Sequence, residues 1–239
     1  MSIDVQIWSD IACPWCYIGK RRFEKALASF PQRDQVRVTW RSYQLDPTLP
    51  EHDHRSEVDY LTEAKGMPRQ QVEQMLEHVA TNAAGEGLTY DFAGLVVANS
   101  RKAHRVLQLA KAADAADGGS CTDALKEALL AAHFEGAEDI SDVEVLARLA
   151  TEAGLDEDEA RAAVDSEELD SAVDGDIALG RQIGVQGVPF FVFDNKYGVS
   201  GAQPPEVFAQ VLETVAAEQA PKLITIDGEA GDACGPDGC

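Results

Sequence analysis

Apolar and polar positions alternate along Val5-Gln6-Ile7-Trp8, which predicts a short β-strand near the start of the chain. Over residues 17–30 the period changes. Ile18, Phe23, Ala26, Leu27 and Phe30 recur near helical spacing, and Pro31 ends the run. Alternation returns in Val36-Arg37-Val38-Thr39-Trp40-Arg41-Ser42-Tyr43, a second predicted strand. The opening is therefore β-α-β, with Cys13-Pro14-Trp15-Cys16 at the first strand-to-helix junction.

From about residue 56 to 182 there is almost no strand signal, and the pattern breaks into helical pieces. Pro68 suits the first turn of a helix through Val72, Met75, Leu76 and Val79. Ala103, Val106, Leu107 and Ala110 form a second apolar stripe, which Gly118-Gly119 ends. Ser120 is placed to cap the next helix, which carries Leu125, Leu129 and Ala132. Ser141 with Glu144, and Asp156 with Glu159, have capping-box spacing. The pattern then reverts: Gly187-Val188-Pro189-Phe190-Phe191-Val192-Phe193 reads as a strand opened by proline. A turn, a short strand from Tyr197 to Ser200 and a helix begun by Pro204-Pro205 follow. The reading is an α/β domain from residues 1–50 and 183–218, an inserted all-helical domain over residues 55–182, and a flexible tail over residues 219–239.

Charge narrows the partners. Asp and Glu total 42 against 20 Lys and Arg, a formal net charge of −22. Such a surface repels a phosphate backbone or an anionic bilayer, which argues against nucleic-acid and membrane partners. Acidic residues spread along the whole chain also suit a protein kept soluble in concentrated salt. The first residues have neither the basic nor the apolar segment of a secretory signal, so a cytoplasmic location is expected. Thiols are normally reduced there, and a CxxC is then catalytic or metal-binding rather than a structural staple.

A thiol attacks as its thiolate, and a helix N-terminus favours that anion through its free N–H groups and dipole. Pro14 fits the first helical position, where its missing N–H costs nothing. Cys13 is thus expected to be an exposed nucleophile of lowered pKa, and Cys16, nearly a turn on, the resolving thiol. The rival reading of the motif is half of a zinc site. Asp10 is a candidate proton shuttle if it is buried near Cys16, or else a strand-end aspartate. Cys234 and Cys239 flank four turn residues and form a candidate second redox pair. They could exchange with Cys13–Cys16, complete a four-thiolate zinc site, or do neither. His52 and His54 read as loop residues before metal ligands, His104 as a histidine satisfied in a domain interface, and Cys121 as a lone half-buried thiol.

Three segments together carry a resemblance: residues 9–23 around Cys13-Pro14-Trp15-Cys16; Asn99 with Ala103-His104-Arg105; and Gly184 to Phe193 continuing through Val199-Ser200-Gly201-Ala202-Gln203. The chain resembles the DsbA-type thioredoxin-like family, and most of all its FrnE-like branch of cytoplasmic oxidoreductases. The resemblance implies a thioredoxin-like fold with an inserted helical domain and a cis Pro189 facing the CxxC. It also implies Cys13 as nucleophile with Cys16 as its partner, and a substrate site at Trp15, Val188 and Pro189, the Val188 backbone pairing with a bound peptide. The implied activity is reduction, oxidation or isomerisation of disulfides in proteins or small thiols. No cofactor is implied beyond the redox-active dithiol, and glutathione is a candidate reductant. Periplasmic DsbA has Pro-His where this chain has Pro-Trp, which argues against a strongly oxidising role. Glutathione-dependent transferases and isomerases of aromatic molecules, in the same superfamily, carry serine at the Cys13 position. They are the alternative enzyme class, and a zinc-holding or redox-sensing protein is the non-enzymatic one.

Overall fold

The computed structural model describes residues 2–51 and 53–219. Four strands form one sheet: β1 (Ile3–Ser9), β2 (Val36–Ser42), β3 (Phe190–Phe193) and β4 (Tyr197–Ser200), in the order β2-β1-β3-β4. β1 runs parallel to β2, with Ile7 opposite Trp40, and antiparallel to β3, with Ile7 opposite Phe191. β3 and β4 form an antiparallel hairpin. The sheet is mixed because a helix joins β1 to β2, whereas β3 enters from the opposite end of the long helical segment.

Alternation along β1 sends Ile3, Val5 and Ile7 to one face. There they pack with Phe191, Phe193 and Phe208 under two helices, α1 (Pro14–Ser29) and α9 (Pro205–Gln219). Trp8 points to the other face, against α8 (Glu167–Gln182), and its indole N–H donates to the Asp176 carbonyl at 2.8 Å. Gly180 makes that approach possible, since a Cβ there would lie 2.6 Å from Trp8 Nε1.

Between β2 and β3 the chain adds α2 (Glu57–Lys65), α3 (Arg69–Gly85), α4 (Arg101–Asp117), α5 (Cys121–Phe134), α6 (Val143–Glu152), α7 (Glu157–Ala163) and α8. Helices α4 to α7 share a core that includes Val106, Leu129, Leu146 and Ala160. A buried carboxylate joins this body to the sheet. Asp176 accepts from Arg41, the Ser42 N–H, Gln108 and Lys111 at 2.6–3.1 Å, so two strand residues and two α4 residues meet on one α8 side chain.

Boundaries differ from the sequence expectation where side chains compete for helix ends. Asp142, not Ser141, caps α6 by accepting from the Glu144 and Val145 N–H groups, because the Ser141 hydroxyl is turned to the Glu51 carbonyl. Ser120 precedes α5 without capping it. Asp114 reaches across from α4 and takes the Cys121 and Thr122 N–H groups at 2.7 and 2.9 Å. β3 starts at Phe190 rather than Gly187, after the Val188–Pro189 bond, which is cis.

Candidate active site

Strand β1 ends at Ser9, and four residues later Cys13 caps α1 in an extended conformation, with Pro14 as the first helical residue. The Cys16 N–H donates to the Cys13 carbonyl at 3.0 Å, which closes the turn around the motif. The Cys13 thiol donates to the Val188 carbonyl at 3.5 Å, across 175 residues of sequence. Pro189 follows directly, and its carbonyl accepts the Gly201 N–H at 2.8 Å, which fixes the loop to the end of β4. Residue 19 must be glycine for this closeness, since a Cβ there would sit 2.9 Å from Pro189 Cγ. Pro14, Trp15, Val188 and Pro189 thus frame Cys13, while the Tyr90 hydroxyl donates to the Pro14 carbonyl at 2.7 Å behind the turn.

The two thiols are not bonded to each other, and both are buried: Cys13 is 3% exposed and Cys16 1%. This corrects the expectation of an exposed Cys13. Its access is a cavity of about 550 Å³ that Cys13 lines and Cys16 does not. Electrostatics also depart from the helix-dipole argument. Hydrogen bonding with Cys16, then burial, then the charges of Cys16 and Asp10 raise the Cys13 pKa well above the ordinary thiol value. Burial opposes ionisation of Cys16, but the Cys13 hydrogen bond, the Lys126 ammonium and the Ser9 hydroxyl outweigh it and lower its pKa. The two thiols titrate together, with the anion disfavoured on Cys13 and favoured on Cys16.

That inner side is a buried polar group. Asp10 is 1% exposed and accepts from the Leu45 N–H at 2.7 Å, and its Oδ1 lies 3.1 Å from His104 Nε2. Burial pushes its pKa up, yet the His104 and Ser100 hydrogen bonds and the Leu45 N–H hold it below the ordinary value, so Asp10 is a carboxylate. Burial lowers the His104 pKa against the pull of Asp10. The arrangement is a neutral imidazole donating from Nε2, with Nδ1 left unpaired. Lys126 is 1% exposed, with Nζ 5.5 Å from the centre of the Trp40 ring. Burial brings its pKa down to about 8, against the charges of Cys16, Asp10 and Cys13. His133, also buried, is lowered to about 4 by burial.

The structure therefore brings Asp10, Cys13, Trp15, Cys16, Val188 and Pro189 together. Trp15 is half-buried, its ring centre 6.1 Å from that of His78 on α3. His104 is buried against Asp10. Cys121 begins α5 as a half-buried thiol. Cys234, Cys239 and His52 lie outside the described residues. Among the described residues no group of three or more His, Cys, Asp or Glu side chains is arranged to hold a metal. Gly19, Lys126 and His133 escaped the sequence reading, although the last two had a signal. Both fall on the apolar stripe of α5 with Leu129 and Leu130, where a lysine is out of place unless it serves a partner.

A dithiol at a helix start, faced by a cis-proline loop and open to one cavity, has the layout of a redox site. The model of the DSBA-like thioredoxin domain matches residues 4–213. The chain belongs to this family of oxidoreductases. A probable DsbA oxidoreductase from Streptomyces coelicolor is 43% identical, with 99% of this chain and 98% of that one covered and a TM-score of 0.84. The cytosolic disulfide reductase DsbM from Pseudomonas aeruginosa, solved with GSH, shares the fold at 20% identity and a TM-score of 0.62, over 90% of this chain and 99% of that one. An uncharacterised protein of Bacillus subtilis, YwbO, is 25% identical over 166 residues, which is 65% of this chain and 68% of that protein. As a DsbA-like protein, the chain keeps both cysteines of its CxxC and the cis proline that faces them.

Proposed function

We propose that this protein is a thiol-disulfide oxidoreductase that works through Cys13 and Cys16. The observation that carries the reading is the unequal access of two adjacent thiols: Cys13 lines the cavity beside Val188, and Cys16 lies behind it. In the reducing direction, Cys13 gives its proton to Cys16 or to water and the Cys13 thiolate attacks a substrate disulfide. A bond forms from Cys13 Sγ to one substrate sulfur, the substrate S–S bond breaks, and the other sulfur leaves as a thiolate. Cys16 then gives up its proton to that thiolate or to water, and attacks Cys13 Sγ. The second substrate sulfur leaves and takes up a proton, so the substrate has gained two electrons and the protein holds a disulfide. The reverse sequence oxidises a dithiol, and both together isomerise.

The Lys126 ammonium supplies positive surroundings for the Cys16 anion during resolution. Asp10 is the proposed relay for the Cys16 proton, acting through its hydrogen bond to His104. The Val188 carbonyl, now occupied by the Cys13 thiol, is a main-chain acceptor for a substrate strand once Cys13 has reacted. Glutathione is the proposed reductant and the cytoplasm the proposed compartment, since DsbM from Pseudomonas aeruginosa, which has the same fold, is a cytosolic disulfide reductase solved with GSH.

Insulin reduction and reactivation of a scrambled protein test the activity. Turnover is expected from the wild type and none from Cys13→Ser. Cys16→Ser is expected to stop at a mixed disulfide that intact-mass measurement detects. Wild-type activity in Cys13→Ser would sink the reading.

A further inference from the structure

The cavity beside Cys13 has a composition that the exchange reaction alone does not require. Its walls include Leu45, Leu49, Leu61, Met75, Leu76 and Val97. Leu45 stands 52% exposed, a large apolar side chain without full cover. A volume of about 550 Å³ is in the range that holds a small molecule or a few side chains of a peptide. Its charged groups are mostly acidic: Asp10, Asp46 and Glu57, against Lys65, which is exposed at the C-terminal end of α2.

The three acids are not equivalent. Asp10 is committed to Leu45 and His104. Asp46 accepts from Thr48 and, at 3.0 Å, from the Tyr60 hydroxyl, and these bonds keep it ionised against burial. Glu57 begins α2 half-buried, and among the described residues no donor reaches its carboxylate. Burial alone lifts its pKa to about 7, with Lys65 pulling the other way. A half-buried carboxyl group without a donor gains most from an incoming cation, which supplies a charge-assisted hydrogen bond in place of lost water. A substrate carboxylate would meet repulsion from both Asp46 and Glu57.

Resting on the thiol-disulfide reading, we propose that this cavity selects polypeptide disulfides whose reacting cysteine is flanked by an aliphatic or aromatic side chain and a basic residue. The apolar side chain fills the space between the Leu49 loop and α3, and the basic group reaches Glu57 and Asp46. The thiol chemistry is unchanged; the cavity sets which disulfide is presented to Cys13.

The test uses the reduced full-length protein and short blocked peptides, each joined through its one cysteine to a chromophoric aromatic thiol. The aromatic thiolate is the better leaving group, so attack falls on the peptide sulfur, and the first phase of its release reports that attack. The residues flanking the cysteine are Leu or Ser on one side and Lys or Glu on the other. The Leu/Lys peptide is expected to exceed the Leu/Glu peptide in kcat/KM by about fivefold, the worth of a good partly exposed ion pair. It should exceed the Ser/Lys peptide by about tenfold, from burial of the leucine side chain. Glu57→Gln should bring the Lys-to-Glu ratio close to one, molar KCl should shrink it, and Glu73→Gln on the outer face of α3 should leave it as in the wild type. Equal kcat/KM across the peptides, or a ratio indifferent to Glu57→Gln, overturns the proposal. Absence of release from every peptide and from insulin removes the thiol-disulfide reading itself, a separate failure.

Discussion

In front of the cysteine pair, Cys13 and Asp10 line a cavity walled by leucines and open to solvent; behind it, Cys16 lies with Ser9, Lys126 and His104, all buried and outside that cavity. The front offers apolar surface with a few acidic groups, Asp10, Asp46 and Glu57, which suits selection among substrates. The back offers charges in low dielectric, where each acts strongly on its neighbour. Selection is placed on the side that substrates touch, and tuning of the thiols on the side they never reach. A helix dipole alone would have favoured the Cys13 anion. Here the neighbouring Cys16 and burial raise the Cys13 pKa, while, against burial, the Cys13 hydrogen bond and the Lys126 ammonium lower that of Cys16, so the anion is favoured on the inner sulfur.

The division can be broken from either side. The largest effect is expected from Cys13→Ser, which should reduce insulin turnover to the buffer background while leaving the unfolding midpoint close to wild type. Next comes acid, acting on His133 in the cavity wall. Folded His133 has a pKa of about 4, below its ordinary 6.5, so between these values the unfolded chain binds the extra proton. Stability should therefore fall as pH drops from 6.5 towards 4, by up to about 3 kcal/mol from this group. His133→Gln should flatten that slope in denaturant titrations at stepped pH. Gly19→Ala, which presses a methyl group on Pro189, should cost about 1–3 kcal/mol by overpacking and lower kcat as the Val188–Pro189 loop shifts. The smallest effect should come from Lys126→Met. Loss of the ammonium should move thiolate formation, followed by ultraviolet absorbance, upward by about one pH unit with the fold intact. An unmoved titration would mean that the back wall does not tune the pair.

The front of the site was largely legible in the sequence, because its parts are local. Strand alternation, a CxxC at a helix start and a proline opening a strand can each be recognised without knowing what faces what. At the back, Asp10 and His104 were each candidates in the sequence, but their pairing with each other and with Lys126 was not legible, because the three come from segments that only the tertiary fold assembles. Propensity also says nothing about which of two capping candidates wins when one has a better partner elsewhere, as Ser141 does with the Glu51 carbonyl. Lys126 could have been suspected from its place on an apolar stripe, but the same stripe gives no hint that Cys16 is its partner.

The pairing of β1 with β3 has a consequence in time. During synthesis the CxxC leaves the ribosome 173 residues ahead of Pro189, the separation between Cys16 and that proline in the chain. At ordinary translation rates that is an interval of roughly ten to thirty seconds. Until then β1 has only β2 beside it, and neither Val188 nor the hairpin can cover the thiols. The nascent chain therefore carries Cys13 without its Val188 acceptor for most of its own synthesis, and the protection of that thiol in that window depends more on the redox state of its surroundings than on its fold.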